Sequence, residues 1–81
     1  MRVEKLPYER IRNLRIDHDY TQGEIAGLLQ ISQSTYAQYE VGKRRFPIKL
    51  IVKLALFYKT SVDYLLELTD DPHPYWIDEI K

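Results

Sequence analysis

Apolar residues recur every three to four positions along most of the 81-residue chain, the spacing of helices that each bury one face. Tyr8, Ile11, Leu14 and Arg15 share one face of a first helix over about 8–18. Ile25, Ala26 and Leu29 mark a second over about 22–29, with Thr21 as N-cap and Glu24 completing a capping box. The pattern breaks at Gln30-Ile31, and Ser32 offers a fresh N-cap. Tyr36 and Tyr39 have the spacing of the inner face of a third helix over about 33–41, with Val41 as a further candidate apolar position, and Gly42 closes it. Ile51, Leu54, Ala55 and Tyr58 line a fourth helix from about Pro47-Ile48 to Tyr58. Ser61 caps a fifth that runs to about Leu68, with Asp63 in its first turn and Val62, Leu65 and Leu66 on its apolar side. The fold class expected is all-α.

Two faces do not fit a helix that only covers a core. The fourth helix carries a second apolar stripe, Ile48, Val52 and Leu56. A small domain does not bury two full stripes, so a partner is expected there. A second copy of the chain and a tail folded back are the two candidates. The outer face of the third helix holds Gln33, Ser34, Thr35, Ala37 and Gln38, with no charge before Glu40. Amides and hydroxyls offer donors and acceptors suited to base edges, and Gln pairs bidentately with adenine. A helix, a tight turn and a helix with such a face make the helix-turn-helix plan.

Charge sharpens this picture. The formal net charge is zero. Residues 21–60 nevertheless hold six Lys/Arg against two Asp/Glu, while residues 61–81 hold one Lys against six acidic residues. A basic middle and an acidic tail cancel in the total, and local potential is what phosphate meets. There is no cysteine, hence no disulfide or thiolate metal site. There is no long apolar run, and MRVEKLPYER has charges where a signal peptide needs apolar residues. A soluble, cytoplasmic protein without membrane contact is the expectation. His18 and His73 are the two histidines, and no cluster at ligand spacing surrounds either, so no metal and no cofactor are expected. No nucleophile–base set, phosphate-binding glycine loop or carboxylate pair is evident, so an enzyme is not expected.

Several motifs fall in one order: T-Q-x-E-I-A at 21–26, I-S at 31–32, S-T-Y at 34–36, Y-E-x-G-K-R at 39–44, and P-x-x-x-I-x-K-L-A from Pro47 through S-V-D-Y-L-L at 61–66. Together they resemble the Cro/repressor-type helix-turn-helix, the XRE family, over roughly residues 8–70. The resemblance implies a five-helix lambda-repressor-like domain that binds double-stranded DNA as a homodimer on a two-fold-related operator, as a transcriptional regulator of repressor type. It makes the third helix the recognition helix, with Gln33, Ser34 and Gln38 reading bases and Thr35 and Ala37 flanking them. It assigns phosphate contacts to Gln22 and to Lys43 and Arg44, which follow the recognition helix; a solvated loop is the plain alternative for the last two. Tyr39 is either core or a phosphate contact at the groove rim. Arg15 is either a solvated helix cation or, as in the family, the ion-pair partner of Glu40. Gly27 stands where the family has a longer residue, costs about 1 kcal/mol of helix propensity, and would allow close packing on the third helix.

The resemblance also places the dimer contact around the fifth helix. Leu56, Val62, Tyr64 and Leu66 are the residues expected there, with Trp76 and Ile77 covering its edge. The domain division expected is 1–70 for the helix-turn-helix domain and 71–81 for an acidic, aromatic tail. That tail carries Tyr75, Trp76, Ile77 and Ile80, which pack on the same domain, on a dimer mate or on nothing. In a second reading the protein is an interaction module, such as an antitoxin, with Trp76, Ile77 and Ile80 as anchors for a partner protein.

Overall fold

The computed structural model describes residues 8–74. They form α1 (Glu9–Asp17), α2 (Gln22–Leu29), α3 (Gln33–Glu40), α4 (Ile48–Tyr58) and α5 (Val62–Leu65). No strand occurs among the described residues, and the fold is all-α. The chain divides into two compact units, one ending at Phe46 and the other beginning at Pro47.

In the first unit, α3 packs against both α2 and α1. The Thr21 hydroxyl accepts the Glu24 N–H at 3.0 Å, and the Glu24 carboxylate accepts the Thr21 N–H at 2.8 Å. This reciprocal pair satisfies two donors that a helix start leaves open. Ser32 repeats the device for α3, accepting the Thr35 N–H at 3.1 Å. Ile11, Ile25, Ala26, Leu29, Tyr36 and Phe46 are buried. Burying a side chain such as Ile25 or Leu29 stabilises by about 1.5–3 kcal/mol.

Phe46 anchors an aromatic cluster. The rings of Tyr8 and Tyr36 meet it edge-on at 5.3 and 6.1 Å, and Tyr39 stacks on it at 5.0 Å. Its N–H donates to the Tyr8 hydroxyl at 3.2 Å. The helical spacing gives no hint of Phe46, because it sits in the connection after α3.

Two expectations are corrected in this unit. Val41, the candidate last apolar position of the third helix, is 48% exposed, because α3 ends at Glu40 and Val41 already belongs to the turn. Gly27 is exposed and makes no close approach to α3; a Cβ added there would meet nothing within 4 Å.

In the second unit, α4 packs against α5. Ile51, Leu54, Ala55 and Leu65 are buried. The second stripe stays open: Ile48 is 64% exposed, Val52 41% and Leu56 57%, with Leu68 adding a further exposed apolar side chain. Ser61 caps α5 by accepting the Tyr64 N–H at 3.0 Å. The helix is shorter than its apolar pattern suggests and stops at Leu65. Beyond it, the Thr60 hydroxyl donates to the Pro72 carbonyl at 2.6 Å, and Pro74 is buried. Trp76, Ile77 and the rest of the 75–81 segment lie outside the described residues.

All five helices end in the same way. Asp19, Gln30, Gly42, Lys59 and Glu67 take left-handed φ values of 62, 61, 85, 57 and 63°. The N–H that follows each returns five residues: Tyr20 to Arg15, Ile31 to Ala26, Lys43 to Gln38, Thr60 to Ala55 and Leu68 to Asp63. These are Schellman stops, which satisfy the carbonyls of the last turn.

Candidate nucleic-acid interface

The candidate site lies in the first unit. Ser32 starts α3 with its side chain turned back on the helix, where it accepts from the Thr35 N–H and donates to the Thr35 hydroxyl at 2.9 Å. Gln33 and Ser34, the next two residues, are exposed, while Ala37 and Gln38 one turn later are half-buried. Residues spaced i, i+1, i+4 and i+5 lie along one helix face, so these four form a continuous uncharged strip. Thr35 is half-buried and its hydroxyl is engaged in the cap.

After Gly42 the chain turns back on α3. The N–H groups of Lys43 and Arg44 both reach the Gln38 carbonyl, at 2.9 and 3.2 Å. This pair of hydrogen bonds fixes the loop against the end of the helix while Lys43, Arg44 and Arg45 remain exposed. Three cations therefore border the uncharged strip. Tyr39 is half-buried and lies on Phe46.

Beneath the strip, Glu40 is buried at 1% exposure. Arg15 donates to it through Nε at 2.9 Å and Nη2 at 3.2 Å. Tyr36 donates its hydroxyl at 2.6 Å, and Gln22 its amide at 3.0 Å. The remaining Arg15 nitrogen, Nη1, donates to the Tyr20 carbonyl at 2.9 Å. Burial pushes the Glu40 carboxyl up, yet the hydrogen bonds from Arg15, Tyr36 and Gln22 outweigh it and hold the pKa below the ordinary value. The hydrogen bond to Glu40 raises Arg15 in turn, against the opposing effect of its own burial. One carboxylate thus ties α1, α2 and α3 together, and α3 carries the strip at an orientation set by all three.

Gln22 and Tyr36 are the members of this hub that the motifs do not reveal. Tyr36 reads as apolar core by its spacing, and its ring is indeed fully buried, but its hydroxyl is a donor to the buried charge. Gln22 sits in the first turn of α2 with its side chain drawn inward. Among the described residues no group of three His, Asp or Glu side chains is placed to hold a metal ion. No helix among them is long and apolar enough to cross a membrane.

Residues 11–65 match the model of a helix-turn-helix family, HTH_3. The chain is 42% identical over 66 residues to an uncharacterized HTH-type transcriptional regulator, YobD, of Bacillus subtilis, covering 82% of this chain and 59% of that protein. It is 34% identical over 61 residues to YonR, an SPbeta prophage-derived uncharacterized HTH-type transcriptional regulator of the same organism, covering 75% and 56%. It is 33% identical over 57 residues to RstR, a cryptic phage CTXphi transcriptional repressor of Vibrio cholerae, covering 70% and 51%. The chain spans about half to three-fifths of the length of these relatives. No solved structure matches it significantly. The chain belongs to the XRE-type helix-turn-helix family.

Proposed function

We propose that this chain is a sequence-specific binder of double-stranded DNA that acts in the cytoplasm as a transcriptional repressor, as a homodimer on a two-fold-related operator. The observation that carries the reading is the uncharged strip Gln33, Ser34, Ala37 and Gln38 on α3, bordered by exposed Lys43, Arg44 and Arg45. An uncharged polar face suits base edges in the major groove, and the cations beside it suit the sugar–phosphate backbone. Gln33, Ser34 and Gln38 read bases, with Ala37 and Thr35 at the margin. Lys43 and Arg44 neutralise phosphates. Gln22 adds a phosphate contact through the first-turn N–H groups of α2 and the amide hydrogen that Glu40 does not take, and Tyr39 lies at the rim. The description of RstR as a transcriptional repressor supports the direction of regulation.

The exposed apolar residues of the second unit support the homodimer. One recognition helix reads only a few base pairs, and two related by a dyad give a useful site. Leu56, Val62, Tyr64 and Leu66 form the proposed contact, to which exposed Ile48, Val52 and Leu68 add area. A partner protein seated on the same surface is the alternative, which a monomeric chain in solution would favour.

The test is selection of bound duplexes from a random pool, followed by affinity against salt. Gln33→Ala should cost about 1–3 kcal/mol on the selected site and relax one base pair. Lys43→Ala should weaken all sequences alike and lower the slope of log affinity on log salt by about 1. A Gln33→Ala protein that selects the wild-type sequence sinks the base assignment.

A further inference from the structure

The motif T-Q-G-E places a glycine, a weak helix former, inside the first turn of α2. Unlike Gly27, this glycine has a neighbour. A Cβ built on Gly23 would lie 3.4 Å from Oε1 and 3.9 Å from Cδ of Gln33, with the Thr21 hydroxyl oxygen at 3.8 Å. The amide of the first residue of α3 therefore rests over the bare Cα of Gly23. Gln33 is otherwise exposed, and an exposed glutamine loses rotamer freedom when it is fixed on a ligand. A seat on α2 removes part of that loss in advance, which is how preorganisation raises affinity and narrows choice.

We infer that Gly23 is a specificity-determining position: its missing side chain forms the seat that aims the Gln33 amide at one base pair. The inference rests on the assignment of Gln33 as a base-reading residue. Gly23 touches no base itself and acts through Gln33. The geometry grades the possible replacements. An alanine Cβ at 3.4 Å is at ordinary contact distance and leaves the amide in place. A residue with atoms beyond Cβ competes for the space the amide occupies and turns it away.

The experiment compares wild type, Gly23→Ala, Gly23→Met, Gly23→Leu, Gln33→Ala and the double variant Gly23→Met/Gln33→Ala. Each is taken through duplex selection and through affinity measurement on the wild-type site, with thermal melts confirming the folded state. Methionine and leucine are uncharged, so any effect is not repulsion of phosphate. Gly23→Ala should bind within about twofold of wild type with the same selected sequence. Gly23→Met and Gly23→Leu should lose about tenfold on that site, the scale of one good base contact. They should relax the same base pair that Gln33→Ala relaxes and no other. In the Gln33→Ala background the methionine should add nothing. Gln33→Ala with altered preference beside folded Gly23→Met and Gly23→Leu proteins of wild-type preference would overturn the seat and leave the base assignment standing. The same holds if the methionine effect persists without Gln33. A Gln33→Ala protein with wild-type preference overturns the base assignment first, and the seat with it.

Discussion

Glu40 is the residue on which the first unit turns. A buried carboxylate is costly unless donors surround it, and here Arg15, Tyr36 and Gln22 supply them from three different helices. Glu40→Ala should destabilise by about 3–5 kcal/mol, because it leaves the largely buried Arg15 guanidinium without its carboxylate partner and with the Tyr20 carbonyl in its place; urea denaturation measures this. Proton linkage gives a second signature. The folded pKa lies below the ordinary 4.5. The contribution is therefore whole above about pH 4.5 and is lost as the pH falls through the depressed folded value. Denaturation series from pH 7 to pH 3 should show stability falling on the acid side, with a smaller acid slope in Glu40→Gln.

At the scale of the element, helix starts and helix stops differ in how they are written. Thr21 with Glu24, Ser32 and Ser61 announce their helices in the sequence and do cap them. The stops are harder to see. Glycine is the residue expected in a left-handed exit, and only the one at Gly42 uses it. Asp19, Gln30, Lys59 and Glu67 adopt the same conformation with a Cβ, which is why the end of α5 could not be placed from its apolar pattern. The candidate site divides similarly. The uncharged run from Gln33 to Gln38 and the cations after Gly42 are visible as strings of letters. The Gln22 and Tyr36 bonds to Glu40, the Phe46 cluster and the seat at Gly23 depend on side chains that meet only after folding. Gly27 differs from the family pattern without a packing reason, since a Cβ added there would meet nothing within 4 Å. Gly27→Ala should therefore raise stability by about 1 kcal/mol with no change in DNA affinity, read from thermal melts and from binding to the selected duplex.

For the whole molecule, the two units carry different surfaces. The proposed reading surface lies wholly in the first, and the exposed apolar residues Ile48, Val52, Leu56 and Leu68 lie wholly in the second. Charge is divided too. Residues 21–60 are basic and residues 61–81 acidic, so a protein with no net charge should still show strongly salt-dependent binding. Leu56 is 57% exposed, and a charge there leaves the buried face of α4 untouched. Leu56→Glu should keep the helical circular dichroism, sediment as a monomer and bind the two-fold site poorly. A wild-type chain that sediments as a monomer at high concentration and binds one copy per site would reject the dimer.

The Schellman stop at Gln30 also bears on what lengths the chain tolerates. Its bond from Ile31 back to Ala26 spans a fixed five residues, and Ser32 caps α3 immediately afterwards. There is no slack between the clasp and the cap to absorb an added residue. An insertion inside the clasp stretches it. An insertion inside α3 advances every later residue by about 100° around the helix axis, since an α-helix has 3.6 residues per turn. Gln38 would leave the strip and Glu40 would leave Arg15 and Gln22, its donors on α1 and α2, in the same step. On the proposed assignment, substitutions in this segment change base preference one position at a time, whereas a change of length by a single residue removes the proposed reading face and the charge that holds it in place.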